Sequence, residues 1–192
     1  MTPYSAAILC GGRSLRMKQD KALMNWNGKP LALYIAGGFL SCDDVFLSVS
    51  KREQFDLKGI PMVEDPVPGC GPLAGLIASL NAAKHDVLFV TTCDAPLVDE
   101  RTADILTSML KDHDAVVPRT KDRIHPLIAV YKKSILPSAV RLFDKKKLKM
   151  RDLLESLDIY YADAGILPYG EDTLSNLNTP EELKKFQERF SS

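Results

Sequence analysis

Residues 6–23 read AAILCGGRSLRMKQDKAL: an apolar run, a glycine pair (Gly11, Gly12), and then four cations, Arg13, Arg16, Lys18 and Lys21. Glycine lets the chain turn sharply and brings bare N–H groups close to a ligand. An arginine fork grips two phosphate oxygens, and a lysine sets a point charge on a third. The chemistry that suits this combination is phosphate binding; taken without the cations, the glycines are equally a plain turn. Two common nucleotide signatures are excluded. There is no GxGxxG, and Gly28-Lys29 runs into Pro30 without the upstream glycine of a Walker loop.

Two further segments carry candidate groups. In VLFVTTCDAPLVDE (87–100), a buried strand delivers Asp94 just ahead of a proline. That carboxylate is either an Asx-turn former or a hard oxygen ligand for magnesium beside phosphate oxygens. In VEDPVPGCGPLAGL (63–76), the plain reading is a loop with Pro72 starting a helix. The functional reading lets Gly69, Gly71 and Gly75 approach a nucleotide, with Asp65 accepting from ring N–H groups. Asn176 and Asn178, in LSNLNTPEEL, are by themselves turn formers. His85, His113 and His125 are too scattered for a metal triad, no Ser-His-Asp or Cys-His grouping can be defended, and RIHPL (123–127) reads as a strand entry.

Positioning these groups requires alternating strands and helices. Strand-length apolar runs at Tyr4–Leu9, Val45–Val49, Ile60–Val63 and Val87–Thr91 alternate with helical periodicity at Leu31–Leu40, Leu73–Ala83 and Arg101–Leu110. Runs apolar on both faces, such as VLFV, belong in a parallel sheet covered by helices on both sides. The expected class is α/β, a doubly wound, mostly parallel sheet, with ligands at the strands' carboxyl ends. DAVVP (114–118) and PLIAVY (126–131) read as strands, Ser134–Phe143 as a helix, Ile159–Ala162 as a short strand, and the charged tract DKKKLKMRD (144–152) as a solvated face or loop. In TPEEL, Thr179 caps a last helix, Pro180 opens it and Glu182 completes a capping box.

Composition bounds the rest. The chain has 192 residues, a formal net charge of zero and 45% hydrophobic residues, which suits one soluble domain with no broad pull toward nucleic acid or anionic membrane. No run approaches the roughly 20 apolar residues of a membrane span, and residues 1–5 lack a signal-peptide layout, so a cytoplasmic protein is expected. Cys10, Cys42, Cys70 and Cys93 have no C-x-x-C pairing and read as reduced thiols.

Taken together, ILCGGRSLRMKQDKAL resembles the LAGG-x-S-x-RMG-x-DK-x-L opening of the molybdenum cofactor guanylyltransferase family. EDPVPGCGPLAGL, TTCDAPLV, HPLIAVY and NLNTPEEL follow in that family's order, so the likeness runs from Ala6 to Leu183. It implies a single Rossmann-like domain resembling the nucleotide-diphospho-sugar transferases, with a nucleotide part near 1–100 and an acceptor part near 101–192. Such a domain binds GTP with Mg2+ and moves GMP onto the terminal phosphate of molybdenum-molybdopterin. By position, Leu9, Cys10 and Gly11 would line the base and ribose, with Gly12 in the same loop. Ser50 would sit at a base contact where relatives often carry Asn, Lys21 would touch the phosphates, Asp65 would read guanine and Asp94 would ligate magnesium. Arg16 matches the signature arginine, and Asn176 and Asn178 match paired asparagines on the acceptor side. Cys10 and Lys18 depart from the usual Ala and Gly. Implied partners are GTP, molybdenum-molybdopterin, molybdoenzyme apoproteins and other cofactor-synthesis proteins. The rival readings are a cytidylyltransferase or another sister nucleotidyltransferase, a non-catalytic hand-over protein, and a dinucleotide-dependent oxidoreductase.

Overall fold

The computed structural model describes residues 2–10, 21–26, 28–51, 59–67 and 69–190. The run SAAIL forms β1 (Ser5–Leu9), buried along its whole length. A small antiparallel hairpin follows, β2 (Asn25–Trp26) and β3 (Lys29–Pro30), whose turn uses Gly28 at φ 82 and an Asn25 Oδ1 that accepts from the Gly28 N–H at 2.9 Å. Such a φ favours glycine, and this hairpin had no counterpart in the sequence reading. Trp26 of β2 is 1% exposed and lies 5.6 Å from the Tyr34 ring and 6.2 Å from the Phe186 ring.

Next come α1 (Leu31–Ala36), β4 (Val45–Val49), β5 (Met62–Glu64), α2 (Pro72–Ala82), β6 (Val87–Thr92) and α3 (Glu100–Ser108). The first helix is shorter than the Leu31–Leu40 expected, because Gly37 and Gly38 close it and Leu40 stands 89% exposed. Gly38 allows close approach there: a Cβ on it would lie 3.3 Å from the Cβ of Asp99. Asp99 caps α3, accepting from the N–H groups of Arg101 and Thr102 at 3.1 and 3.3 Å.

The second half holds β7 (Ala115–Arg119), β8 (Ala129–Lys132), α4 (Leu136–Asp144), α5 (Met150–Leu154), β9 (Ile159–Asp163) and α6 (Pro180–Phe190). The charged tract is a loop only in part: Lys145, Lys146 and Lys147 are exposed, but Met150 starts α5 and is buried. Leu153 and Leu154 are buried with it, and the three apolar side chains anchor this short helix to the core. At the last helix Thr179 Oγ1 accepts from the Glu182 N–H at 3.1 Å, while the Glu182 carboxylate reaches back one residue further than expected, to the Asn178 N–H at 2.7 Å.

Seven strands make one sheet in the order β5-β4-β1-β6-β8-β7-β9. All pairs are parallel except those of β8, which runs against β6 and β7. The cause is the short link from β7 to β8, which lacks the length of a crossover and folds as a turn instead. The alternation along the strands divides the core. Ala6, Ile8, Val87 and Phe89 face α1 and α3, whereas Ala7, Leu88 and Val90 face α2, α4 and α5. That split explains why VLFV is apolar throughout: each residue meets one of two helical layers. None of the four cysteines is in a disulfide, and among the described residues no helix is long and apolar enough to cross a membrane.

Candidate active site

The four parallel strands β5, β4, β1 and β6 lie side by side, and each is followed at its carboxyl end by a polar or expected site residue: Asp65, Ser50, Cys10 and Asp94. Neighbouring strands sit about 4.8 Å apart, so the four strand axes span about 14 Å. Gly11, Gly12 and Arg16 lie outside the described residues, as do Arg13 and Lys18.

At the β6 end, Lys21 sits on a single 3-10 turn, Lys21–Leu23, closed by the Met24 N–H to Lys21 carbonyl bond at 3.1 Å. Its ammonium donates to Asp94 Oδ2 at 2.8 Å and to Asn178 Oδ1 at 2.7 Å. The other carboxylate oxygen of Asp94 accepts from the Thr92 hydroxyl at 2.6 Å. The Asp94 carbonyl accepts from the Leu177 N–H at 2.8 Å, which fastens the C-terminal segment to the strand end. Asn178 is oriented in turn: its Nδ2 donates to the Asn176 carbonyl at 3.2 Å, and its N–H is held by Glu182. Lys21, Asp94, Asn176 and Asn178 are therefore one hydrogen-bonded cluster. Charge-assisted bonds of this kind are shorter and stronger than neutral ones.

At the β5 end, Asp65 is half-buried. Ser48 Oγ lies 3.3 Å from its Oδ1, and Ser50 Oγ lies 3.4 Å from its Oδ2. Burial raises the Asp65 carboxyl above its ordinary value, while the two serine hydroxyls pull it down in part. Gly75 of α2 completes this pocket. A Cβ there would lie 3.2 Å from Ser48 Oγ, 3.4 Å from Asp65 Oδ1 and 3.6 Å from Leu9 Cδ2, so any side chain at this position would crowd the Ser48 hydroxyl. Gly71, at φ 79, supplies the left-handed turn into α2.

Between these ends, Leu9 and Cys10 are clasped by both neighbours. The Leu9 carbonyl accepts from the Cys93 N–H at 3.1 Å, and the Cys10 N–H donates to the Ser48 carbonyl at 2.7 Å. Leu9 keeps a second carbonyl lone pair for a ligand, whereas the Cys10 N–H is already used inside the sheet. Sequence reasoning missed Ser48 and Thr92. The signal was there for both, because a hydroxyl residue within a β-rich apolar run needs a partner, and here the partner is a site carboxylate.

The donor set bears on a metal. Among the described residues no group of three His, Cys, Asp or Glu side chains could cage an ion. A lone carboxylate such as Asp94 nevertheless suits magnesium, which is ordinarily held by one or two carboxylates plus substrate phosphates and water.

Known proteins resemble this chain in sequence and fold. The chain is 30% identical over 194 residues to a Carboxydothermus hydrogenoformans protein named probable molybdenum cofactor guanylyltransferase, covering 100% of this chain and 98% of that one. A Bacillus subtilis protein of the same name is 29% identical, with 96% and 95% covered. Among solved structures, molybdopterin-guanine dinucleotide biosynthesis protein A from Archaeoglobus fulgidus superposes with a TM-score of 0.82 at 23% identity, over 97% of this chain and 98% of that one. A Thermus thermophilus 2-C-methyl-D-erythritol 4-phosphate cytidylyltransferase, 16% identical and covered fully in both chains, shares the fold at a TM-score of 0.75. The family described as the MobA-like NTP transferase domain matches residues 6–160, from β1 to β9. With a family match over most of its length and a full-length relative at 30% identity, the chain belongs to the MobA-like NTP transferase family.

Proposed function

We infer that this chain is a molybdenum cofactor guanylyltransferase: it transfers GMP from GTP to molybdenum-molybdopterin and releases pyrophosphate. The observation that carries the reading is the pairing of a half-buried, serine-held Asp65 at one end of the strand row with the Lys21–Asp94–Asn178 cluster at the other. The relatives' names support the substrate class.

The reaction needs no protein nucleophile. A phosphate oxygen of the acceptor attacks the α-phosphorus of GTP, and the bond to pyrophosphate breaks. The protein's work is to hold two anions together and to neutralise the charge that develops on the leaving group. Lys21 has three ammonium donors, of which Asp94 and Asn178 take two, leaving one for a phosphate oxygen. Asp65 accepts from the N1–H and N2 amine of guanine, a pair of donors that adenine lacks on that edge. Ser48 and Ser50 aim its two oxygens, and guanine's N–H groups favour the ionised form that burial disfavours. Asp94, steadied by Thr92, is the residue that would hold Mg2+, which supplies positive charge beside the triphosphate. Gly11, Gly12 and Arg16 extend the phosphate loop in this reading, and Gly71 and Gly75 let α2 approach the base. Asn176 and Asn178 face the acceptor, so residues near 1–100 serve the nucleotide and those near 101–192 the acceptor. The proposed compartment is the cytoplasm, with molybdoenzyme apoproteins or other cofactor-synthesis proteins receiving the product.

The test is pyrophosphate release by the purified protein with Mg2+ and molybdenum-molybdopterin, comparing GTP with ATP, CTP and UTP. Release with GTP alone is expected; equal or greater release with CTP would move the chain to the sister cytidylyltransferases.

A further inference from the structure

The link between β7 and β8 holds a histidine that the reaction above does not use. Thr120 N–H donates to the Arg123 carbonyl at 2.9 Å, Arg119 and Ile124 form an antiparallel bridge, and His125 N–H donates to the Pro118 carbonyl at 2.9 Å. These bonds pin His125 at the carboxyl end of β7. It lines a cavity of about 210 Å³ together with Thr92, Arg123, Leu127, Met150 and Asn176. Two of these residues border the charged cluster: Thr92 donates to Asp94 at 2.6 Å, and the Asn176 carbonyl accepts from Asn178 at 3.2 Å. The cavity and the charged cluster are thus joined through Thr92 and Asn176.

His125 is 9% exposed, and its Nε2 is buried with no hydrogen-bond partner among the described residues. A buried ring nitrogen left unpaired is costly, and a residue needed only for packing would be better apolar. Burial first, and then the Arg123 charge, push the imidazole down to about 4. At neutral pH it is uncharged, with one nitrogen donating and the other accepting. Apolar walls with a few convergent polar groups suit a flat heterocycle whose edge carries N–H and C=O groups.

Resting on the guanylyl-transfer reading, we propose that His125 is a specificity-determining residue for the acceptor: its imidazole hydrogen-bonds the edge of the acceptor's pterin ring in this cavity, while the acceptor's phosphate lies toward Lys21 and Asp94. Ring and phosphate are then gripped by different parts of the fold, and GTP touches neither Arg123 nor His125.

The experiment compares wild type, His125→Phe, which keeps the flat ring without its nitrogens, and His125→Gln, which restores a donor and an acceptor. Metal-free molybdopterin binding is followed by pterin fluorescence, GTP binding by calorimetry, and KM is measured for each substrate. His125→Phe is expected to weaken molybdopterin binding and raise the acceptor KM about tenfold, the scale of one lost hydrogen bond, with GTP affinity and GTP KM unchanged. His125→Gln should recover to within about threefold of wild type. Wild-type acceptor binding in His125→Phe would overturn the assignment, as would equal losses for acceptor and GTP in both variants, or no molybdopterin binding by wild type. The titration needs no turnover. A wild type that binds molybdopterin but releases no pyrophosphate thus sinks guanylyl transfer, while the variant titrations still decide the role of His125.

Discussion

Asp94 and Lys21 hold each other at 2.8 Å, so each is pre-positioned and each leaves the other without its charge partner when removed. Lys21→Ala and Asp94→Ala are each expected to lower turnover by about 10²-fold or more, the scale of deleting one preorganised charge-stabilising group. Single-turnover pyrophosphate release by the folded variants checks this, and near-wild-type rates would remove either residue from the chemistry. Asp65 is the opposite kind of group, a carboxylate kept where burial disfavours its charge. Its folded pKa is raised, so the ionised form destabilises the fold at neutral pH, and that cost is relieved as pH falls through the folded value toward the ordinary one. Asp65→Asn should therefore raise the melting temperature at neutral pH, lose that advantage in acid, and erode the preference for GTP over ATP. A variant with unchanged nucleotide discrimination would take the base-reading role from Asp65. Stability given up for a binding group is the usual trade at such sites.

At the scale of elements, the β5 end of the candidate site is a helix packed closely against strand ends. Gly75 on α2 brings the helix to Ser48 and Asp65. Gly75→Val should push the Ser48 hydroxyl off the carboxylate and α2 off β1, weakening GTP binding by about tenfold or more, on the scale of 1–3 kcal/mol for overpacking a well-filled contact. Calorimetric GTP affinity tests this, with wild-type binding as the contrary result. The helix was legible in LAGLIASL because its periodicity is local. The tightness was not, because it depends on strands from residues 9 and 48, which no local pattern connects to residue 75. The same holds for β8. Its apolar run announced a strand, but its direction followed from a connection too short to cross over.

Over the whole molecule, the end of the chain returns to a residue near its start: Lys21 and Asn178 are 157 positions apart and 2.7 Å in space. The capped α6 delivers Asn178 through Glu182, so a surface helix cap is also part of the site's framework. The acid limb of global stability should carry the mark of His125. Its folded pKa is lowered from 6.5 to about 4, so across that window the unfolded chain takes up a proton that the folded chain refuses. Stability contributed by the neutral imidazole is full above the unfolded value and falls as pH drops through the window. Urea titrations between these limits should show a shallower decline for His125→Gln than for wild type; parallel curves would mean that the folded imidazole takes up its proton as readily as the unfolded one.

What the amino-acid order determined by itself was everything with a local signature: the two-sided apolar strands, the break after β1, Asp94 at a strand's end, the Thr179 cap and the α/β class. Only the tertiary structure decided that Ser48 and Ser50 clamp Asp65, that Thr92 and Asn178 flank the Lys21–Asp94 pair, and that His125 belongs beside them. Periodicity and capping act over a few residues and leave a pattern in the chain. Hydrogen bonds between residues far apart in sequence leave none, because they exist only once the sheet has set its strand order.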